Sequence, residues 1–113
     1  MTQIRKESLD FEAVLRRHGT VEQIKKFSRE TLPDVKTHLT TMQHAIKTKD
    51  PQNLERLARI LVDTLTDLSP PAALDLALLL VRQGRSGILT ESPQTIELLK
   101  NAINRLQKTI ATL

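Results

Sequence analysis

The sequence predicts an all-α fold, an up-down-up-down antiparallel four-helix bundle with a short N-terminal helix. Apolar residues recur at steps of three and four along most of the chain, which is the period of an amphipathic helix. Short connections separate these segments and place neighbouring helices antiparallel. No stretch alternates between apolar and polar residues as a half-buried strand does. The 113 residues suffice for one modest core, so we expect a single domain over residues 1–113.

Capping residues indicate where the helices begin. Asp50-Pro51, Ser69-Pro70 and Ser92-Pro93 each place a capping side chain before a proline, whose missing N–H costs nothing in a first turn. Thr20 and Gln23 have the spacing of a capping box. These marks predict a short helix near 10–17 and longer helices near 20–48, 51–68, 71–84 and 93–112. Residues 82–92 are then expected to form a longer loop.

Three of the long helices each carry one apolar stripe, and together these stripes are the predicted core. The second helix has Ile24, Phe27, Val35, Leu39, Met42 and Ile46. The third has Leu54, Leu57, Ala58, Leu61, Leu65 and Leu68. The last has Ile96, Leu99, Ile103, Leu106, Ile110 and Leu113.

The fourth helix has more apolar residues than one buried face requires. One set of four has the spacing of a core stripe, and three further leucines then project the other way. The core set is Leu74, Ala77, Leu78 and Val81, and the outward set is Leu76, Leu79 and Leu80. Exposed leucines in a contiguous set usually mark an interface. The opposing interpretation, that the N-terminal helix or the loop at 85–92 covers them, stays open.

Composition excludes several kinds of site. The chain has no cysteine, which removes disulfides, thiolate metal sites and cysteine nucleophiles. His38 and His44 are six residues apart and lie on different helix faces, so we expect no metal site and no cofactor. The formal net charge is +4, but the lysines and arginines are spread along the chain and form no basic stripe. Two phenylalanines are present, and tyrosine and tryptophan are absent. Nucleic-acid binding is therefore not expected, whereas an acidic protein partner is favoured.

The most apolar run predicts no membrane segment. Residues 70–81 are interrupted by Asp75 and are shorter than the roughly 20 residues that a membrane-spanning helix needs. The N-terminus carries charges where a signal peptide requires an apolar core. We therefore expect a cytoplasmic protein.

The order and spacing of these segments resemble the histidine-containing phosphotransfer (HPt) domain along nearly the whole chain. The opening helix and glycine turn of that family are similar to LDFEAVLRRHGT. Its long second helix, with a mid-helix proline, resembles FSRETLPDVKTHLTTMQHAIKTKDPQNLERLA, and its fourth helix is similar to AALDLALLLVRQGRSG. The resemblance implies a four-helix bundle that works with the receiver domains of two-component signalling.

In that family a histidine on the third helix accepts a phosphoryl group from a receiver aspartate. In LERLARILVDTLTDLSPP the acceptor position falls at Arg59, the family's lysine at Val62 and its glycine at Asp63. Arginine stays protonated and is not a useful nucleophile, and Asp63 adds a negative charge beside any incoming phosphoryl group. The resemblance therefore implies a non-catalytic member, and we expect neither catalytic residues nor enzyme activity.

Arg59 allows two interpretations. It is either a solvated residue supported by (i, i+4) pairs with Glu55 and Asp63, or a contact for the acidic pocket of a receiver domain. In the second case the partner-facing residues are Arg56, Arg59, Val62 and Asp63. The leading hypothesis is a regulator of two-component signalling that binds a receiver domain or a histidine kinase without accepting phosphate. The alternative is a scaffolding module that forms a homodimer through its fourth helix.

Overall fold

Five helices make up residues 8–113, the part of the chain that the structure, a computed structural model, describes. They are α1 (Phe11–His18), α2 (Val21–Lys47), α3 (Pro51–Thr66), α4 (Pro71–Ser86) and α5 (Ser92–Ala111). No strand occurs in this part of the chain, so the predicted all-α class is confirmed for it. The charged N-terminal segment, for which the sequence predicts no signal peptide, lies in residues 1–7, outside the described residues.

Two of the predicted capping residues are confirmed. The Asp50 carboxylate accepts a hydrogen bond from the backbone N–H of Asn53 at 3.2 Å, at the start of α3. The Thr20 hydroxyl accepts one from the N–H of Gln23 at 3.1 Å, at the start of α2. Each bond satisfies a first-turn N–H that has no partner within the helix.

The predicted caps at Ser69 and Ser92 are wrong. Ser69 has a φ of 45°, and its hydroxyl donates to the carbonyl oxygen of Thr66 at the end of α3, 3.4 Å away, so Pro70 takes the capping position of α4 without a side-chain bond. Ser92 lies inside the first turn of α5, and its hydroxyl donates to Gln83 on α4. In both cases a contact outside the helix start uses the group that would have capped it.

The four longer helices surround one aliphatic core. α3 packs against α2 and α4, and α5 packs against α4 and α2, so that each long helix contacts two others. The described part measures 43 × 22 × 18 Å, and the 27-residue α2 spans most of the long dimension at about 1.5 Å per residue. The predicted stripes of α2, α3 and α5 are buried or partly buried throughout, so they are confirmed as core.

α1 lies across one end of this assembly, packed on α2. The backbone N–H of Asp10 donates to the carbonyl oxygen of Ser69 at 2.9 Å. Arg17 pairs with the carboxylate of Asp67 at 2.7 Å, and the Nε2–H of His18 donates to the Asp67 carbonyl oxygen at 2.8 Å. α1 is thereby attached to the end of α3 and to the turn that follows it.

The predicted orientation of α4 is partly wrong. Leu80, expected to project outward, is fully buried, whereas Leu78, expected in the core, is 45% exposed. Leu76 is partly buried against the core, and Leu79 is exposed as predicted. The buried face is formed by Ala73, Ala77, Leu80, Val81, Gln83 and Gly84. Small residues decide this orientation, because they let α4 approach its neighbours closely and leave room for one large leucine between them.

α4 is also longer than predicted. It continues through Arg85 to Ser86, so the loop expected at 82–92 shrinks to residues 87–91. Gly84, which favoured a helix end in the sequence, lies inside the helix, and the left-handed Gly87 at φ 76° ends it instead. No helix in residues 8–113 has both the length and the apolar character needed to cross a membrane.

Candidate partner-binding groove between α3 and α4

A groove of about 550 Å³ runs between α3 and α4. It is lined by Arg59, Val62 and Asp63 from α3 and by Leu78, Val81, Arg82 and Arg85 from α4. Three of the four residues predicted to face a partner from α3 therefore lie together in one depression. The fourth, Arg56, is exposed outside this lining, and its guanidinium donates to the side-chain oxygen of Asn53 at 2.7 Å.

The backbones of α3 and α4 approach each other closely at Gly84. A Cβ atom added to Gly84 would be 2.7 Å from the backbone nitrogen of Glu55 and 2.8 Å from the carbonyl oxygen of Pro51. Carbon atoms in proteins do not pack at such distances, so only glycine fits here. The contact fixes the start of α3 against the end of α4, and it brings the side chain of Glu55 next to Arg85.

One carboxylate joins the two helices across this contact. Oε1 of Glu55 lies 3.5 Å from Nη2 of Arg59 on its own helix and 3.5 Å from Nε of Arg85 on α4. Both arginine side chains are more than half exposed, whereas that of Glu55 is 22% exposed. Exposed pairs at this distance contribute little to stability, about 0–1 kcal/mol each. Their importance is that they orient two guanidinium groups along the groove.

The predicted pair between Arg59 and Asp63 does not form among the described residues, because Arg59 turns towards Glu55. Asp63 lies in the groove four residues further along α3 and is exposed. The groove therefore presents three arginines, one exposed carboxylate at Asp63, and the Glu55 carboxylate at its edge. Its positive charge exceeds its negative charge by one.

Apolar side chains complete the lining. Val62 is partly buried, Val81 is buried, and Leu78 exposes nearly half of its surface to the groove. Guanidinium N–H groups donate to carboxylate or phosphoryl oxygens, and the aliphatic groups favour contact with apolar atoms beside them. This arrangement is suited to binding an acidic protein surface that also carries apolar side chains.

The sequence did not reveal the α4 half of the groove. The sequence predicts a loop over residues 82–92, which contains Arg82 and Arg85, and it places Leu78 in the core. A signal was present, since Leu78, Arg82 and Arg85 are spaced by four and three residues, as on one helix face. It was missed because Gly84 was interpreted as the end of α4.

The three histidines lie away from this groove. His38 is partly buried beside α3 in a separate depression between α2 and α3, and His44 is exposed. The ring of His18 packs against Phe27 with a centroid distance of 4.9 Å. Within residues 8–113 no three His, Asp or Glu side chains are grouped so that they could hold a metal ion.

The fold and the groove define this chain as an all-helical protein with a basic, partly apolar depression on its surface. Compared with protein-family models, with curated proteins and with solved structures, the chain shows no significant match.

Proposed function

We propose that this chain is a non-catalytic, HPt-like four-helix bundle of the cytoplasm that binds the acidic pocket of a receiver domain. The observation that carries the proposal is the clustering of Arg59, Arg82 and Arg85 around an apolar depression. Arg59 is also the residue that stands at the phospho-acceptor position of the HPt resemblance. The groove geometry and the sequence resemblance thus both indicate Arg59 as a contact residue.

Charge complementarity supports a receiver domain as the partner. Receiver pockets are acidic because they hold a divalent metal and the aspartate that carries the phosphoryl group. A guanidinium offers five N–H donors in a planar fork that matches carboxylate oxygens. Arg59 inserted into such a pocket takes the place of the metal or of a phosphohistidine, and it neutralises the carboxylates without reacting. The protein then regulates two-component signalling by occupying the receiver.

The test is calorimetry with a receiver domain, or with a histidine kinase as the alternative partner. Arg59→Ala should weaken binding about thirtyfold, or ~2 kcal/mol, because it leaves desolvated carboxylates without their partner. Arg56→Ala is the matched control, since Arg56 is exposed on the same helix outside the groove. It should change the affinity less than threefold. Equal losses for the two variants would contradict the proposal.

Magnesium provides a second readout of the same contact. If Arg59 replaces the metal, Mg²⁺ added to the receiver should compete with the wild-type protein and compete less with Arg59→Ala. Incubation with a phosphorylated receiver should leave the chain unmodified. Stoichiometric acid-labile phosphorylation of His18, His38 or His44 would show that it is a phosphotransfer protein after all.

Self-association is a second candidate function, supported by exposed leucines on another face. Leu79 on α4 and Leu98 on α5 are 36% and 50% exposed. Leu79 lies four residues before Gln83, and Leu98 lies three residues after Thr95, to which Gln83 is hydrogen-bonded. In an antiparallel pair of helices the two leucines are therefore neighbours at the same level, one on α4 and the other on α5. A homodimer formed there would leave the α3–α4 groove open.

A further inference from the structure

Glu55 forms ion pairs with two of the three arginines of the groove in the free protein. Its Oε1 atom lies 3.5 Å from both Arg59 Nη2 and Arg85 Nε. The two arginines come from different helices, so a single carboxylate bridges the groove from one wall to the other. A carboxylate from a partner protein needs the same N–H groups.

The backbone holds Glu55 in this place. Its nitrogen atom lies at the point where α3 and α4 touch, 2.7 Å from the position that a Cβ on Gly84 would take. Neither helix has room to slide there without a clash between backbones. The backbone of Glu55 therefore stays beside the two arginines, and rotation of the Glu55 or arginine side chains separates the ion pairs.

We propose that Glu55 is an internal competitor for the arginine groove, which a partner must displace in order to bind. The inference rests on the proposed function and adds a rule of selectivity to it. A single partner carboxylate gains little, because it exchanges one carboxylate for an equivalent one. A cluster of carboxylates carries more negative charge than the single carboxylate of Glu55, so it displaces Glu55 from the two arginines. Glu55 thus makes the groove selective for clustered negative charge, and it lowers the affinity for every partner.

The experiment compares Glu55→Gln with Asp63→Asn. Glu55 and Asp63 lie four residues before and four residues after Arg59, and each substitution removes one negative charge while keeping the shape of the side chain. Only Glu55 is paired with the groove arginines among the described residues. The change in net charge is therefore equal in the two variants, whereas only Glu55→Gln releases two paired arginines.

Citrate, a small tricarboxylate, serves as a probe that requires no partner protein. Titrations are followed by the NMR signals of the arginine Nε–H groups, at low salt. Glu55→Gln should bind citrate about fivefold more tightly than Asp63→Asn, as expected for the loss of two exposed ion pairs. In the absence of citrate, the signals of Arg59 and Arg85 should shift in Glu55→Gln, and that of Arg56 should not. Equal citrate affinities, or unshifted Arg59 and Arg85 signals, would overturn the inference.

The same variants titrated with a receiver domain separate this inference from the proposed function. Tighter receiver binding by Glu55→Gln than by Asp63→Asn supports both. If citrate distinguishes the variants but no variant binds the receiver, internal competition stands and the receiver proposal fails. If the receiver binds both variants equally, the partner does not use the paired arginines and the inference is overturned.

Discussion

The two sides of α4 are joined to their neighbours in different ways. On the α3 side the contact is between backbones, with Gly84 against Pro51 and Glu55. On the α5 side it is a chain of hydrogen bonds through polar side chains that are almost completely buried. The Ser92 hydroxyl donates to Oε1 of Gln83 at 2.7 Å, Nε2 of Gln83 donates to the Thr95 hydroxyl at 3.0 Å, and that hydroxyl donates to the carbonyl of Glu91.

This difference explains why the groove lies where it does. The α5 side uses its polar groups internally, and no buried side-chain nitrogen or oxygen in the described residues lacks a partner. On the α3 side the backbone contact is accompanied by the exposed pair between Glu55 and Arg85, and the groove arginines stay at the surface. The glycine contact thus leaves the charged side chains of the groove exposed, whereas the polar side chains on the α5 side are buried and paired.

The largest expected effect concerns the rotation of α4 on which this comparison depends. Leu80→Glu places a carboxylate at a fully buried position and should destabilise the protein by about 4 kcal/mol or more, enough to unfold much of it. Leu79→Glu, on the neighbouring exposed residue, should change stability by only about 0.5 kcal/mol. Urea unfolding followed by circular dichroism measures both. Similar losses for the two variants would mean that α4 is rotated from the orientation described.

Leu79→Glu also tests self-association. Sedimentation velocity of the wild type and of this variant should reveal a dimer that the substitution abolishes, if the second candidate function is correct. A wild-type monomer at high concentration would remove that candidate and leave the groove proposal untouched.

A smaller loss is expected at the backbone contact on the α3 side. Gly84→Ala should cost about 2 to 3 kcal/mol, because the clash with Glu55 and Pro51 exceeds the ~1 kcal/mol that alanine gains in helix propensity. Gly87→Ala is the control, since it has a positive φ but no atom within 4 Å of its added Cβ, and should cost about 1 kcal/mol. Thermal unfolding should separate the two by several degrees. If Gly84→Ala were neutral or stabilising, the helices would not touch there.

The smallest loss is expected on the α5 side. Gln83→Met keeps the volume and removes the partner of Ser92 and Thr95, which should cost about 1 to 2 kcal/mol. Adding Ser92→Ala to Gln83→Met should restore part of the loss, because no unpaired hydroxyl then stays buried at residue 92. Strictly additive losses in this double-mutant cycle would indicate that the two side chains act independently.

The predictable parts of the fold are those with one apolar face per helix. α3 and α5 carry a single stripe, and the structure buries those stripes. α4 has leucines around most of its circumference, so periodicity could not fix its orientation. The close approach of Gly84 to the backbone of α3 accompanies the observed orientation, and this approach depends on the neighbouring helix. Arg59, Val62 and Asp63 of the groove were found through the HPt resemblance of α3, whereas Arg82 and Arg85 fell in the loop predicted after α4.

The attachment of α1 has a consequence for the order of folding. Its hydrogen bonds to Asp67 connect residues 49 and 50 positions apart, so they close a long loop that is unfavourable in entropy until α2 and α3 have paired. α1 should therefore dock late, after the α2–α3 pair exists. Protection of the Asp10 amide in pulsed hydrogen exchange then reports completion of that pair, because its acceptor, the Ser69 carbonyl, lies in the turn that ends α3.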